Sequence, residues 1–188
     1  FGASFSNDFS VQVDKGIAKQ LKASQKQVLT LRVWNNENLV GITTTSDLSK
    51  DGLKKALYQA NLASNYGNKN ELTDFSPLAK DPINKNRVEK RSPAGIKKLL
   101  ETLRTAENQL LKKHSAIKTI PYNGLSESFF KRVYANSEGA QRSYEKSQAA
   151  IYLYARAEEN NRKPRSSGSV KIGYGLEDID INSCIDEA

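Results

Sequence analysis

The strongest constraint on the fold lies in the first 48 residues, where apolar side chains recur at every second position between short polar breaks. In "FSVQVD" Phe9, Val11 and Val13 share one face; "IAKQLKA" follows Gly16; in "VLTLRVW" Leu29, Leu31 and Val33 lie opposite Arg32 and Trp34. Side chains alternate across a strand, so this period predicts half-buried strands, and connections this short join only antiparallel neighbours. After the turn "NNEN", "LVGITTT" predicts a fourth strand, with Gly41 marking a bulge or a close backbone approach.

The period then changes to that of a helix. Ser49 as N-cap, Asp51 in the first turn and Gly67 as the stop frame a helix over 49–66. Its stripe of Leu53, Ala56, Leu57, Ala60 and Ala63 is expected to cover the sheet. Residues 67–92, with Pro77 and Pro82, lack periodicity and read as a long loop outside the core. Ser92-Pro93, an N-cap followed by proline, opens a second helix over 93–113. Ile96, Leu99, Leu100, Leu103, Ala106, Leu110 and Leu111 form its apolar side, and Lys97, Lys98, Arg104, Lys112 and Lys113 its wet side.

A second β-rich region spans 115–175, through "AIKTIPYNGL", "FFKRVYANSEGAQRSYEKS" and "AAIYLYARAEE", with turns at Asn123-Gly124 and "NSEG". Ile151 and Leu153 face away from Tyr152 and Tyr154. "NNRKPRSSGS" reads as a loop, "VKIGYG" as a last strand, and residues 176–188 as the start of another helix. The expected architecture is a single α+β domain over 1–188, with antiparallel strands in one large sheet or two contiguous ones and two main amphipathic helices packed against them.

Apolar runs are only a few residues long, against the roughly 20 needed to span a bilayer, which predicts a soluble chain with no membrane partner. Phe1-Gly2, without a methionine, reads as a trimmed start and leaves a removed leader open. One cysteine, Cys184, and no glycosylation acceptor pattern favour the cytoplasm; the thiol itself is expected to be a small half-buried apolar group. The net charge of +8 is uneven: residues 80–118 hold eleven Lys or Arg against four acids, whereas 174–188 hold five acids and no base. Much of this basic segment is the solvated face of one helix. With the tyrosines and bases of "FFKRVYANSEGAQRSY" it supports a nucleic-acid-binding alternative, against which Phe130, Arg132 and Tyr134 read as one half-buried strand.

Catalytic signals are sparse. A zinc site needs clustered ligands, and the chain has one histidine, His114, and one cysteine. His114 lies where it would complement the last carbonyls of a helix, and only a partner chain could complete a ligand set around it. The pairs Glu158-Glu159 and Asp178/Asp180 read as a turn and a helix entry, and "SSGSVKIGYG" lacks phosphate-loop spacing. Catalytic, metal-binding and cofactor-binding residues are therefore all expected to be none, with the substrate-binding residues unknown.

One resemblance spans most of the chain. Arg32-Val33-Trp34, a polar turn, Val40-Gly41, Thr44-Thr45-Ser46-Asp47-Leu48-Ser49 and an Ala-rich helix resemble the N-terminal half of the TldD/PmbA family, labelled modulators of DNA gyrase. Tyr134 to Gly139, "YANSEG", is similar to that family's Asn-Ser-x-Gly turn, and "AIKTIPYNGLSES" resembles its TldE (PmbA) side. The resemblance implies a zinc metallopeptidase of about twice this length, assembled as homo- or heterodimers and acting on small or unfolded peptides. Zinc is expected in the catalytic half of the TldD-type subunit, on a His-Glu-x-x-x-His motif that this chain does not contain. The chain is then the non-catalytic N-terminal domain, whose partners are its own C-terminal domain, a second subunit and peptide.

Overall fold

The computed structural model describes residues 1–67, 75–80 and 85–188, with backbone alone for 85–87. Pro82 and the stretches 68–74 and 81–84 of the expected loop lie outside the described residues. The elements are β1 (Gly2–Asp14), β2 (Ile17–Trp34), β3 (Val40–Thr45), α1 (Lys50–Ser64), β4 (Lys85–Glu89), α2 (Gly95–Lys113), β5 (Ile117–Ala135), β6 (Gln141–Ala157), β7 (Arg165–Gly173) and α3 (Ile181–Glu187), with short 3-10 turns at Pro77–Ala79 and Leu176–Asp178.

The expected α+β class is what the structure shows, with one seven-stranded sheet in the order β3-β2-β1-β5-β6-β4, β7 also pairing β6. β2–β3 and β6–β7 are antiparallel. So are β1 and β5: the Phe1 carbonyl accepts from the Ala135 N–H, while Val13 meets the Asn123 side chain.

Four expectations about strands and turns are corrected. "IAKQLKA" and "VLTLRVW" belong to one 18-residue strand, because the polar residues between them carry no turn signal. The expected loop contains the five-residue strand β4, too short to show a period. Similarly, β7 begins at Arg165, so that "SSGS" is strand. Asn123-Gly124 is no turn but lies inside the 19-residue β5. The Asn123 amide is buried and acts as a second peptide group: its oxygen accepts the Val13 N–H at 3.0 Å and its nitrogen donates to the Val13 carbonyl at 2.9 Å. Gly124 leaves room for a ring, since a Cβ there would stand 2.5 Å from Tyr152 Cε1.

The chain divides into two compact units, one of Phe1–Ser6, Gln25–Val88 and Phe130–Glu145, the other of Asn7–Ser24, Glu89–Phe129 and Lys146–Ala188. In the first, Ser49 caps α1, its hydroxyl accepting the Gly52 N–H at 3.1 Å. The covering face of α1 is narrower than the expected stripe. Gly52, Ala56, Ala60 and Ser64 are buried, whereas Leu53 and Leu57 are 38% and 54% exposed. Small residues at i, i+4 spacing let the helix sit very close to β3, where a Cβ on Gly41 would fall 1.9 Å from the Ala60 carbonyl oxygen. Gly41 thus marks a close approach. Gly67 does the same against Val40, while α1 itself ends in the right-handed Asn65, so the helix has no left-handed glycine stop.

The second unit holds the main core. Leu99, Leu103, Ala106 and Leu110 of α2 meet Val11 and Val13 of β1, Ile120 and Leu125 of β5, and Ile151 and Leu153 of β6. Burying each of the large aliphatic groups contributes roughly 1.5–3 kcal/mol. Helix α2 starts at Gly95, not at Ser92-Pro93, and Ala94 at its N-cap offers no side-chain bond. The cap comes from β5: Glu127 Oε2 accepts the N–H groups of Ala94 and Gly95 at 2.9 and 3.3 Å. A second buried carboxylate, Glu107 on α2, accepts the Lys15 and Gly16 N–H groups at 3.0 and 2.7 Å, holding the left-handed β1–β2 turn.

Burial and not hydropathy decides which leucines matter. Leu103→Ala should cost roughly 2–5 kcal/mol in urea unfolding and Leu57→Ala less than about 0.5 kcal/mol. Equal costs would mean that α1 is held through its leucines.

Candidate functional site

The residues singled out from sequence are not brought together. His114 is the C-cap of α2, and its exposed ring accepts the Ala116 N–H on Nδ1 at 3.1 Å, serving the following turn instead of the helix carbonyls. Cys184 is fully buried, not half-buried; its Sγ lies 3.6 Å from the Ser169 carbonyl oxygen, and burial pushes the thiol pKa up. Glu158 pairs with Arg156 at 2.8 Å and Glu159 with Arg162 at 3.0 Å. Asp178 takes Arg91 at 3.1 Å, and Asp180 caps α3 by accepting the Ser183 N–H at 2.9 Å.

These side chains do not fit a zinc ion. Among the described residues no group of three or more His, Cys, Asp or Glu is placed to hold one, and the imidazole and thiol are each committed to a backbone group.

Two cavities lie beside residues described above. The first lies in the unit containing α1, has a volume of about 860 Å³ and is lined by Arg32, Trp34, Tyr134, Asn136, Ser137 and Glu138. Parts of two of the motifs that carry the family resemblance, Arg32 to Trp34 and Tyr134 to Glu138, therefore line one depression. Asn35 builds the turn beside it, its Oδ1 accepting the Glu37 and Leu39 N–H groups at 3.0 Å each. Asn136 builds the other turn, accepting the Ala140 N–H at 3.0 Å and donating to the Ala79 carbonyl at 2.7 Å. The Trp34 Nε1–H is buried and has no hydrogen-bond partner among the described residues.

The second cavity, about 450 Å³, lies in the other unit beside the start of α2. Phe9, Pro93 and Phe129 give it apolar walls, and Ser128, Gln148 and Glu127 give it polar ones. Glu127 is only 6% exposed; Oε2 caps α2, and Oε1 has no partner among the described residues. Sequence reading missed Glu127, although a signal existed: it shares a strand face with Leu125 and Phe129, the face that alternation assigns to the core.

At the C-terminal end, Glu187 of α3 accepts from Lys171 Nζ at 2.5 Å, Ser169 Oγ at 2.7 Å and Ser183 Oγ at 3.2 Å. These donors, the lysine first, hold its carboxyl at about 2, below the ordinary 4.5.

The sequence profile of the PmbA/TldA metallopeptidase central domain matches residues 89–188. No curated protein sequence matches the chain significantly. Among solved structures, the fold is similar over the whole chain to TldE from Thermococcus kodakarensis (16% identity, TM-score 0.81, 42% of that chain covered). It is also similar over its whole length to candidate modulators of DNA gyrase from Thermotoga maritima (15%, TM-score 0.79, 42% covered) and Bacteroides thetaiotaomicron (12%, TM-score 0.78, 43% covered). The chain thus spans less than half the length of these proteins.

A depressed carboxylate pKa stabilises the fold fully above the unfolded value, and the contribution fades as pH falls through the folded one. Between about 4.5 and about 2, NMR signals of α3 should move towards coil positions. In Glu187→Gln, α3 should already be loosened at the upper pH and change less on acidification; identical titrations would show that the triple contact does not hold it. Iodoacetamide should label Cys184 only on unfolding.

Proposed function

Because the chain belongs to the PmbA/TldA metallopeptidase family, we propose that it is a non-catalytic part of a TldD/TldE-type peptidase, serving subunit assembly and the access of small or unfolded peptides. The observation that carries this reading is the family match together with a fold that accounts for all of this chain but 42% of a TldE chain. On this reading zinc is held on residues outside this sequence, and the partners are the remainder of the parent chain and a second family subunit. On this reading the setting is cytoplasmic, as the single cysteine favours. Among the described residues no helix is long and apolar enough to cross a membrane.

The chemistry of the larger cavity supports peptide contact. An extended peptide presents carbonyl oxygens at regular intervals, and the cavity offers a donor in the exposed Arg32 guanidinium. Tyr134, 39% exposed, supplies an aromatic wall that holds backbone without demanding one side chain. In the same unit β3 ends the sheet order, and such an edge can add an extended strand through main-chain hydrogen bonds.

Trp34 is the only tryptophan, so its fluorescence reports on this cavity alone. Titration with an unstructured peptide should shift Trp34 emission with weak affinity, and the peptide should stay intact with or without added zinc. Metal-dependent cleavage by this chain, or binding that leaves Trp34 unmoved, would sink the reading. A nucleic-acid role on the 80–118 basic segment predicts the opposite pattern, tight DNA binding that weakens by several powers of salt concentration.

A further inference from the structure

We propose that the sheet face turned away from α1 receives acidic stretches of extended peptide, with Arg32, Arg132 and Arg142 as the groups that hold their carboxylates. Gly41, which meets α1, is in register with Val33, so Arg32 and its partner Ile42 stand on the opposite face. The larger cavity on that face adjoins a third one of about 550 Å³, since Gly2, Thr30 and Tyr134 line both. Arg132 and Arg142 line the third. Among the described residues the two linings together hold three arginines, no lysine and one carboxylate, Glu138. All these groups belong to one unit.

The shape follows from the sheet order. β1 runs between β2, which bears Arg32, and β5, which bears Arg132. Beside the arginines its residues are the small Gly2, Ala3 and Ser4, which leave a trough between the larger side chains of the neighbouring strands. Strands in a sheet stand about 4.8 Å apart, so Arg32 and Arg132 rise from strands roughly 10 Å from each other. An extended peptide places alternate side chains on one face roughly 7 Å apart, within the range that two long arginine side chains cover.

The charge on this face is unmatched. The ion pairs of the described residues include neither Arg32 nor Arg132, and both side chains are exposed. The Arg132 guanidinium carbon lies 5.9 Å from the centre of the Phe130 ring, a contact that orients the group without neutralising it. Arg142 donates to the Leu78 carbonyl, which is also neutral. Lys131, by contrast, is matched by Glu145 at 2.9 Å.

A guanidinium fork fits the two oxygens of a carboxylate, which is why a face with arginines and no lysine suits acidic side chains. The fork also takes phosphate, but single-stranded nucleic acid needs open ring faces on which its bases stack. Here Phe130 lies under Arg132 and meets the Tyr144 ring edge-on at 5.8 Å, so the middle of the face has no open stack. Three arginines against Glu138 are also a small excess for a backbone charged at every residue. The preference rests on the peptide-access reading above and adds to it a substrate class, peptide rich in aspartate or glutamate.

The full chain is titrated by calorimetry with a blocked hexapeptide of alternating alanine and glutamate, and with its glutamine and lysine twins. The glutamate peptide should bind about tenfold or more tightly than the glutamine twin, and the lysine twin more weakly than either. The advantage should shrink as salt rises. Arg32→Gln and Arg132→Gln, changes of exposed side chains that should leave the thermal midpoint in place, should each weaken glutamate-peptide binding about threefold or more and leave the glutamine twin unaffected. Equal binding of the glutamate and glutamine peptides sinks the preference and leaves the access reading standing; binding by none of the three sinks both. Tighter binding of the lysine twin, or undiminished glutamate-peptide binding by the folded arginine variants, also overturns the preference. A hexathymidylate held more tightly than the glutamate peptide overturns it too and assigns the face to nucleic acid. The comparison of the twins uses the unaltered chain, so the test stands even where a variant does not fold.

Discussion

Two carboxylates that sequence convention would place in solvent hold helix α2 to the strands of its unit. Glu127 reaches from β5 to the first N–H groups of the helix, and Glu107 reaches from the helix to the left-handed turn between β1 and β2. A carboxylate buried without such partners would cost several kcal/mol, so each can be accommodated only where its donors are already in register. The bonds therefore specify position, while Leu99, Leu103 and Leu110 supply the free energy of docking. Helix α1 is held differently, by small residues that permit backbone to approach backbone, and its leucines remain at the surface.

This division bears on function. The start of α2 is capped by the buried Glu127 carboxylate, and the smaller cavity lies beside it. The larger cavity depends on two asparagine-built turns, at Asn35 and Asn136, whose side chains accept the local N–H groups and fix the walls carrying Trp34 and Tyr134. Among the described residues no group of three or more His, Cys, Asp or Glu is placed to hold a metal ion.

Much of the architecture was legible from periodicity. Alternation in "FSVQVD", "VLTLRVW" and "AAIYLYARAEE" marked β1, β2 and β6, and the leucines from 99 to 110 marked the buried side of α2. The N-cap at Ser49 was correct because a cap is a local bond, made three residues away. Asn123-Gly124 misled for the converse reason. The dipeptide favours a turn by its local conformational freedom, but two hydrogen bonds to Val13, 110 residues distant in sequence, hold it extended. Ser92-Pro93 misled in the same way, since the donors it would have capped are taken by Glu127.

What the sequence determined by itself was the α+β class, the antiparallel logic of short connections, the amphipathic helices and, through the order of its motifs, the family. Those properties follow from side-chain period and nearest-neighbour chemistry, which a linear string records. The tertiary structure alone decided that one sheet and not two would form, which leucines would be covered, and which carboxylates would be buried. It also brought Arg32 and Trp34 alongside Tyr134 and Asn136, and left Glu127 Oε1 facing no partner. These outcomes depend on strands far apart in the chain meeting in register, where a single distant donor outweighs the local preference of the residue it satisfies.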